Sequence, residues 1–288
     1  MIRSVTDIAT AVEQGRYHAQ QIYKPAFNTT GAGRWYDRSI GAGHPSYNAY
    51  IGNVLEFTPL IGQRNLSIYA GPTPGSGMSK HVLAAQMRVG AANQAPLTCL
   101  FADYLGLYPL IDGDSVDPQV TTNPASLTRY TDGMGVQAFV VVQVPGTLAA
   151  TATCTVSYTN HAGTSGRTST FSLYGSGVIG TCVSVTNTSA SINGLSPFIP
   201  RASGDRGIRS IESVTLSAAI GGFVNIVLCK PLFTLPIWEG VTNVERNFGR
   251  ETMPLPKIEN GAFVQWLALA GNNTGESIVH GQLEFIWG

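Results

Sequence analysis

Polar and apolar residues alternate strictly along residues 152–159. The even positions of this stretch are apolar, and the odd positions carry hydroxyl groups. A period of two places alternate side chains on opposite faces of an extended chain. The pattern therefore predicts a half-buried β-strand whose hydroxyl row faces outward. That row consists of Thr153, Thr155, Ser157 and Thr159.

Strand patterns continue through most of the chain after residue 79. Residues 136–144 are nearly continuous in β-branched side chains, as in a central strand. Residues 81–89 fit either a buried strand or a helix. Many short strands with little helix are typical of a sandwich, so we predict an all-β, jelly-roll-like β-sandwich. Further strands are predicted at 97–107, 168–174, 178–186, 211–218, 223–228, 263–269 and 279–287.

Two features near the carboxyl end shape the predicted topology. The turn-forming residues 271–275 join the last two predicted strands, which we expect to pair as a hairpin. Residues 232–257 follow Pro231 and contain three further prolines, so we interpret them as a long connection. Trp238 in this connection is expected to close one end of the core.

The chain opens with a predicted short helix and an extended arm. Ser4 and Asp7 fit a capping box at the start of the helix. Residues 27–50 are rich in Gly, Pro, Asn and aromatic residues but have too few periodic apolar positions for a core of their own. We therefore divide the chain into 1–78, the helix and arm, and 79–288, the sandwich.

Aromatic residues of the arm are candidates for contact with a partner. The candidates are Trp35, Tyr36, Tyr47 and Tyr50. Aromatic side chains dominate the energetics of protein interfaces, which favours this interpretation. The alternative is that they cover the edge of the protein's own core, and the sequence leaves both open.

Charge is sparse on this chain. Charged residues are 12% of the 288, with 17 basic and 17 acidic side chains, against roughly 25% charged in a typical soluble domain. A hydroxyl- and amide-rich surface is weakly protected against association. No basic stretch could track a phosphate backbone, and no long apolar run could span a bilayer, so neither nucleic acid nor membrane is an expected partner. The first residues lack a signal-peptide pattern, which favours folding in a cytoplasm.

The four cysteines lie far apart in apolar or alternating stretches. They are Cys99, Cys154, Cys182 and Cys229. None has a cysteine or histidine at metal-ligand spacing. A disulfide and a reactive thiol are the alternatives, but we expect all four to be reduced and buried.

Acidic residues offer few candidates for chemistry. Asp112, Asp114 and Asp117 form an acidic loop without EF-hand spacing; a solvated turn is favoured over a surface calcium site. The histidines are scattered and no GxSxG elbow is present, so we predict no catalytic residue, no metal and no cofactor. A glycosidase needs only two carboxylates brought together by the fold, and that alternative stays open.

Five short strings along the chain form a recognisable set. They are GRWYD at 33–37, RYTDGMGV at 129–136, SYTN at 157–160, GRT at 166–168 and SGDRGIRS at 203–210. Together they resemble a group of tailed-bacteriophage virion structural proteins, a class that includes head decoration (cement) proteins and tail or fibre parts. The glycines of the loops at 131–133 and 203–207 are expected at positive φ. In the last string, Arg206 or Arg209 is expected to pair with Asp205 or Glu212.

The resemblance implies a virion component that folds in the host cytoplasm. No long helix is available as the spine of the common major capsid fold, so a capsid decoration or cement protein is the leading hypothesis. Its expected partners are the major capsid protein and copies of itself, with a homotrimer favoured because trimers match local three-fold positions of an icosahedral shell. The alternatives are a tail, collar or fibre component that binds a host receptor or glycan, and a polysaccharide-acting enzyme on a jelly-roll body.

Overall fold

Strands supply nearly all the regular structure of the chain. The computed structural model describes residues 2–25, 31–146, 151–175, 177–185, 196–251, 254–271 and 278–288. These residues form three antiparallel sheets and two short α-helices. The predicted all-β sandwich with a short N-terminal helix is confirmed.

The elements follow one another in chain order. The helices are α1 Val5–Glu13 and α2 Phe248–Glu251. The strands are β1 Tyr17–Lys24, β2 Trp35–Asp37, β3 Thr58–Pro59, β4 Lys80–Val89, β5 Leu97–Asp112, β6 Gln119–Val120, β7 Gln137–Val144, β8 Thr151–Asn160, β9 Arg167–Tyr174, β10 Ser184–Val185, β11 Ile208–Leu216, β12 Phe223–Ile237, β13 Val244–Asn247, β14 Lys257–Ile258, β15 Val264–Ala270 and β16 Val279–Trp287.

The strands form three separate sheets, one of which is central. The first sheet has the order β1-β16-β4-β13, with β14 also paired to β4. The second sheet has the order β10-β9-β8-β11-β6. The central sheet has the order β2-β15-β5-β12-β7, with β3 paired to β5. Its two longest strands, β5 and β12, pair along most of their length.

The central sheet is covered on both faces. Leu100 and Ala102 of β5 belong to one buried cluster, while Phe101 between them belongs to another. Val227 and Leu228 of β12 divide in the same way. Consecutive strand residues point to opposite faces, so one face packs on the first and second sheets. The opposite face lies beneath the N-terminal arm.

Local patterns predicted most strands correctly. In β8 the apolar positions are buried and the hydroxyl row is exposed or half-buried, as its alternation requires. Residues 81–89 are a strand and not a helix. Residues 178–186 are the exception, because the stretch begins with a turn, with Gly180 at φ +85°, and Thr181 and Cys182 form only isolated bridges. Only the short strand β10 remains there in the described residues.

Strand β12 corrects the predicted connection, because it continues through Pro231 and Pro236 to Ile237. Proline removes a ladder donor and is tolerated where one side of a strand lacks a ladder partner. Strand β7 pairs with β12 only along Phe223–Cys229. Beyond Cys229 the described strands pair β12 on the β5 side alone, so both prolines lie where the strand has one unpaired edge.

The predicted C-terminal hairpin is wrong. Strand β15 pairs with β5 and β2, whereas β16 pairs with β4 and β1. The two strands lie in facing sheets and meet through a shared core, with Trp266 and Phe285 in one buried cluster. Two consecutive strands give the same sequence pattern, apolar faces on both sides of a turn, whether they pair in one sheet or lie in facing sheets. The hydrophobic pattern therefore does not distinguish the two arrangements. Turn residues 272–277 lie outside the described ranges.

The N-terminal helix begins as predicted. The Asp7 backbone N–H donates to Ser4 Oγ at 3.2 Å, and the Ser4 backbone N–H donates to an Asp7 carboxylate oxygen at 2.9 Å. This reciprocal pair is a capping box. Helix α1 buries Ala11 and lies against β16.

Residues 1–78 and 79–288 share sheets. Strand β1 pairs with β16, β2 with β15, and β3 with β5. The predicted boundary therefore lies between two segments that complete each other's hydrogen-bond ladders. The N-terminal segment thus pairs with the rest of the chain at three strands.

Candidate functional site

The predicted contact residues of the arm divide into two groups. Trp35, Tyr36 and Tyr50 are buried in the protein's own core, with exposed fractions of 7%, 2% and 3%. Tyr47 is exposed at 47%. These three side chains are therefore part of the protein's own core, as in the alternative interpretation. Tyr47 alone presents its ring to solvent.

A buried carboxylate organises the arm. Asp37 accepts hydrogen bonds from the backbone N–H of Ser39 at 2.9 Å and from the hydroxyl of Tyr104 at 3.0 Å, and also from the hydroxyl of Tyr50. Burial raises the pKa of Asp37, and these donors oppose the rise. Tyr104 belongs to the central strand β5, so the carboxylate fastens the arm to the middle of the sheet.

Two buried basic side chains donate hydrogen bonds to backbone carbonyls near the same loop. Lys24 Nζ donates to the carbonyl of Gly41 at 2.7 Å. Burial, together with the nearby Arg38, lowers the pKa of Lys24 to about 7. Arg38 donates to the carbonyl of Pro25 at 3.1 Å. These backbone carbonyls, which have no partner strand among the described residues, thus accept hydrogen bonds from side chains.

A buried ion pair joins the arm to strand β5. Arg129 and Asp103 form two hydrogen bonds of 2.7 and 2.9 Å, with both side chains almost fully buried. Arg129 also donates to the carbonyl of Leu60 at 3.0 Å, and the Phe263 N–H donates to Asp103 at 2.9 Å. Burial raises the pKa of Asp103, and the Arg129 guanidinium opposes that change. The ion pair therefore connects four chain segments, those around Leu60, Asp103, Arg129 and Phe263.

Asp205 fastens the loop that carries the string at 203–210. It accepts from Tyr158 and Asn160 at 2.6 Å each and from Arg167 at 3.0 Å. Burial alone would raise its pKa, but these hydrogen bonds lower the pKa to about 2. The predicted partner, Arg206 or Arg209, is wrong: the ion pair is with Arg167.

The other expected residues of this loop also differ in partner. Arg209 donates to the carbonyls of Asp132 and His161. Glu212 accepts from Ser157 at 2.7 Å and from Thr159 at 2.6 Å. Burial would raise the pKa of Glu212, yet these hydroxyls and the Gly166 N–H hold it below its usual value.

The outer surface of the second sheet is a lattice of hydroxyl groups, which we call the hydroxyl face. Directly paired strand residues place it in rows across β9, β8 and β11. All its members are exposed or half-buried. Cross-strand neighbours lie about 5 Å apart, so the hydroxyl groups are closely spaced. The hydroxyl face consists of Thr153, Thr155, Ser157, Thr168, Thr170, Ser172, Ser213 and Thr215.

The acidic loop forms a turn. The Asp114 N–H donates to Asp112 Oδ1 at 2.9 Å, and the side chain of Gln119 bonds both backbone groups of Asp112. Asp117 is exposed at the end of the loop. Within the described ranges, no group of three or more His, Cys, Asp or Glu side chains is placed to hold a metal ion.

All four cysteines are buried and without a disulfide. Burial raises the pKa of Cys99 and Cys154 to about 12. It also raises the pKa values of Cys182 and Cys229 well above the usual range. The thiols are therefore protonated core groups, as predicted.

Trp238 does not close the core. Its side chain is 72% exposed, in the segment between β12 and β13. Its neighbour Ile237 is buried in the core instead, in one cluster with Phe248.

Comparison with known proteins gives little further guidance. No helix in the described structure has both the length and the apolar character needed to cross a membrane. No family model and no curated protein matches the sequence. Among solved structures, the chain is similar to the VP2 subviral particle of infectious bursal disease virus, with 11% identity over 94% of this chain and 80% of that chain. The TM-score is 0.18, which carries no argument about this protein.

Proposed function

We propose that this chain is a non-enzymatic structural protein of a bacteriophage particle, a capsid decoration or cement protein. Its partners would be the major capsid protein and further copies of itself. The observation that carries the proposal is the hydroxyl face of the second sheet. The resemblance of the five strings to tailed-phage virion proteins supports the choice of particle.

The hydroxyl face suits contact with a neighbouring protein. Burying a charged side chain costs far more than burying a hydroxyl that can find a new partner. Ser and Thr also lose less side-chain entropy on contact than Lys or Glu. The nearest carboxylate, Glu212, is already held by Ser157 and Thr159. A neighbour can therefore cover this face with little desolvation cost.

The buried charges support the same role. Asp37, Asp103 and Asp205 all fasten loops to sheets. A surface held rigidly in advance loses less conformational freedom when a partner packs against it. The ionisable groups thus serve the rigidity of a building block.

The test places charge on the hydroxyl face. The double variant Thr155→Lys, Thr170→Lys puts two ammonium groups on directly paired residues. We expect the unchanged protein to form a trimer at micromolar concentration and to bind particles lacking it. We expect the variant to stay folded but to lose one or both associations. Sedimentation velocity and particle co-sedimentation measure the two.

Thr10→Lys is the matched control, since it adds the same charge at an exposed threonine of helix α1. If the double variant assembles and binds particles as well as the control, the hydroxyl face is not the contact surface. A particle reconstruction with the chain outside the head would overturn the decoration role.

A further inference from the structure

The outer face of the first sheet carries a polar groove that is distinct from the hydroxyl face. Strands β1, β16 and β4 lie side by side there, and two rows of paired residues cross them. Gln21, Gln282 and Gln86 form one row. Tyr23, His280 and Arg88 form the next, and Asn243 closes the groove beside β13. The cavity volume is about 490 Å³.

The lining of the groove is already ordered. Gln21 donates to the side-chain carbonyl of Gln282, and Gln282 donates to Glu284 at 2.9 Å. The rings of Tyr23 and His280 lie 5.0 Å apart at 49°. Each of these contacts fixes a rotamer before any ligand arrives. Fixed side chains lower the entropic cost of binding.

The chemistry of the lining selects a class of ligand. A primary amide offers two donors and a carbonyl acceptor, which match a hydroxyl that both donates and accepts. Four such amides line the groove, from Gln21, Gln86, Gln282 and Asn243. Tyr23 is 43% exposed, so its ring offers an apolar surface beside them. Hydroxyl groups and an apolar ring face occur together in a pyranose.

Charge argues for a neutral ligand. Arg88 is the only Lys, Arg, Asp or Glu residue among those lining the groove. Glu245 is paired to Gln86, and Glu284 accepts a hydrogen bond from Gln282, so two carboxylates adjoin the glutamine row of the groove. An anionic ligand would face these two carboxylates with a single cation to bind it. The volume also lies within the range of small-ligand sites, roughly 300–1,000 Å³.

We propose that this groove binds a neutral oligosaccharide, with a sugar ring on Tyr23 and its hydroxyls bonded to the amides. The proposal does not depend on the assembly role, since the groove and the hydroxyl face lie on different sheets. It adds a recognition function to a structural protein. The ligand would be a glycan of a cell surface or of another particle component.

The experiment compares single variants against a panel of neutral hexasaccharides of glucose, mannose, galactose and N-acetylglucosamine. Binding of the full chain is measured by saturation-transfer NMR and titration calorimetry. Tyr23→Ala and Gln86→Ala remove the ring and one amide. Tyr17→Ala is the matched control, because Tyr17 lies on the same strand and face but outside the groove. Circular dichroism confirms that each variant is folded.

We expect at least one neutral hexasaccharide to bind, and Tyr23→Ala to weaken that binding about tenfold. Gln86→Ala should weaken it measurably, while Tyr17→Ala leaves it unchanged. The proposal is overturned if no hexasaccharide binds, or if Tyr17→Ala has the same effect as Tyr23→Ala. It is also overturned if Tyr23→Ala changes the oligomeric state, since the groove would then be a contact between copies.

Discussion

Replacing Asp205 with asparagine tests the clamp on the loop at 203–207. The pKa of this carboxyl falls from 3.8 to about 2 in the folded chain, and each pKa unit corresponds to about 1.4 kcal/mol. The upper limit of its contribution is therefore about 2.5 kcal/mol. Arg167 is 34% exposed and partly screened by solvent, so we expect Asp205→Asn to lower the free energy of unfolding by ~1–2 kcal/mol at neutral pH.

The sign of the pH dependence follows from the lowered pKa. A carboxyl with a depressed folded pKa stabilises the fold above its unfolded pKa of 3.8, and this stabilisation is lost as the pH falls through about 2. The difference in stability between the unchanged protein and Asp205→Asn should therefore be full above pH 5 and shrink towards pH 2. Urea denaturation followed by tryptophan fluorescence measures it across that range.

The control for this experiment is Asp117→Asn, which removes a carboxyl from an exposed loop position. It should leave the stability curve within about 0.5 kcal/mol of the unchanged protein. A constant difference between Asp205→Asn and the unchanged protein from pH 2 to pH 7 would refute the reasoning, because the carboxyl would then contribute no linked proton.

Three further changes test other parts of the fold. Arg129→Met should lower stability by ~3–5 kcal/mol, because it leaves Asp103 buried without its cation; thermal denaturation checks this, and a loss under 1 kcal/mol contradicts it. Deletion of residues 1–50 should prevent folding, since β1, β2 and Asp37 are lost with it; a native-like circular dichroism spectrum and sharp melting would show the arm to be dispensable. The four thiols should react slowly with Ellman's reagent until urea unfolds the chain, because all are buried; rapid labelling of two or more in native buffer would show them to be accessible.

The sequence predicts elements whose signal is local. The alternation of β8 follows from side-chain direction within one strand, and the capping box of α1 involves only Ser4 and Asp7. Strand β1 was missed because its inward positions include His18, Gln20 and Lys24, so it lacks an apolar face. Its burial depends on partners such as Gly41, which accepts from Lys24.

Pairing between distant segments cannot be predicted from local sequence patterns. The ion pairs of Arg129 with Asp103 and of Arg167 with Asp205 join positions 26 and 38 residues apart. Yet Asp37, Arg129, Arg167 and Asp205 all fall within the five short strings at 33–37, 129–136, 157–160, 166–168 and 203–210. The strings therefore mark loop-fastening residues, and only the fold shows which of them meet.

The pairing of the first strand with the last has a consequence for synthesis. Tyr17 of β1 lies opposite Ile286 of β16, 269 positions later. At roughly 5–20 residues per second, β1 leaves the ribosome ~15–50 s before its ladder partner exists. An apolar strand exposed for that interval would invite aggregation. The polar residues that leave β1 without an apolar face also lower its tendency to aggregate before β16 has been made.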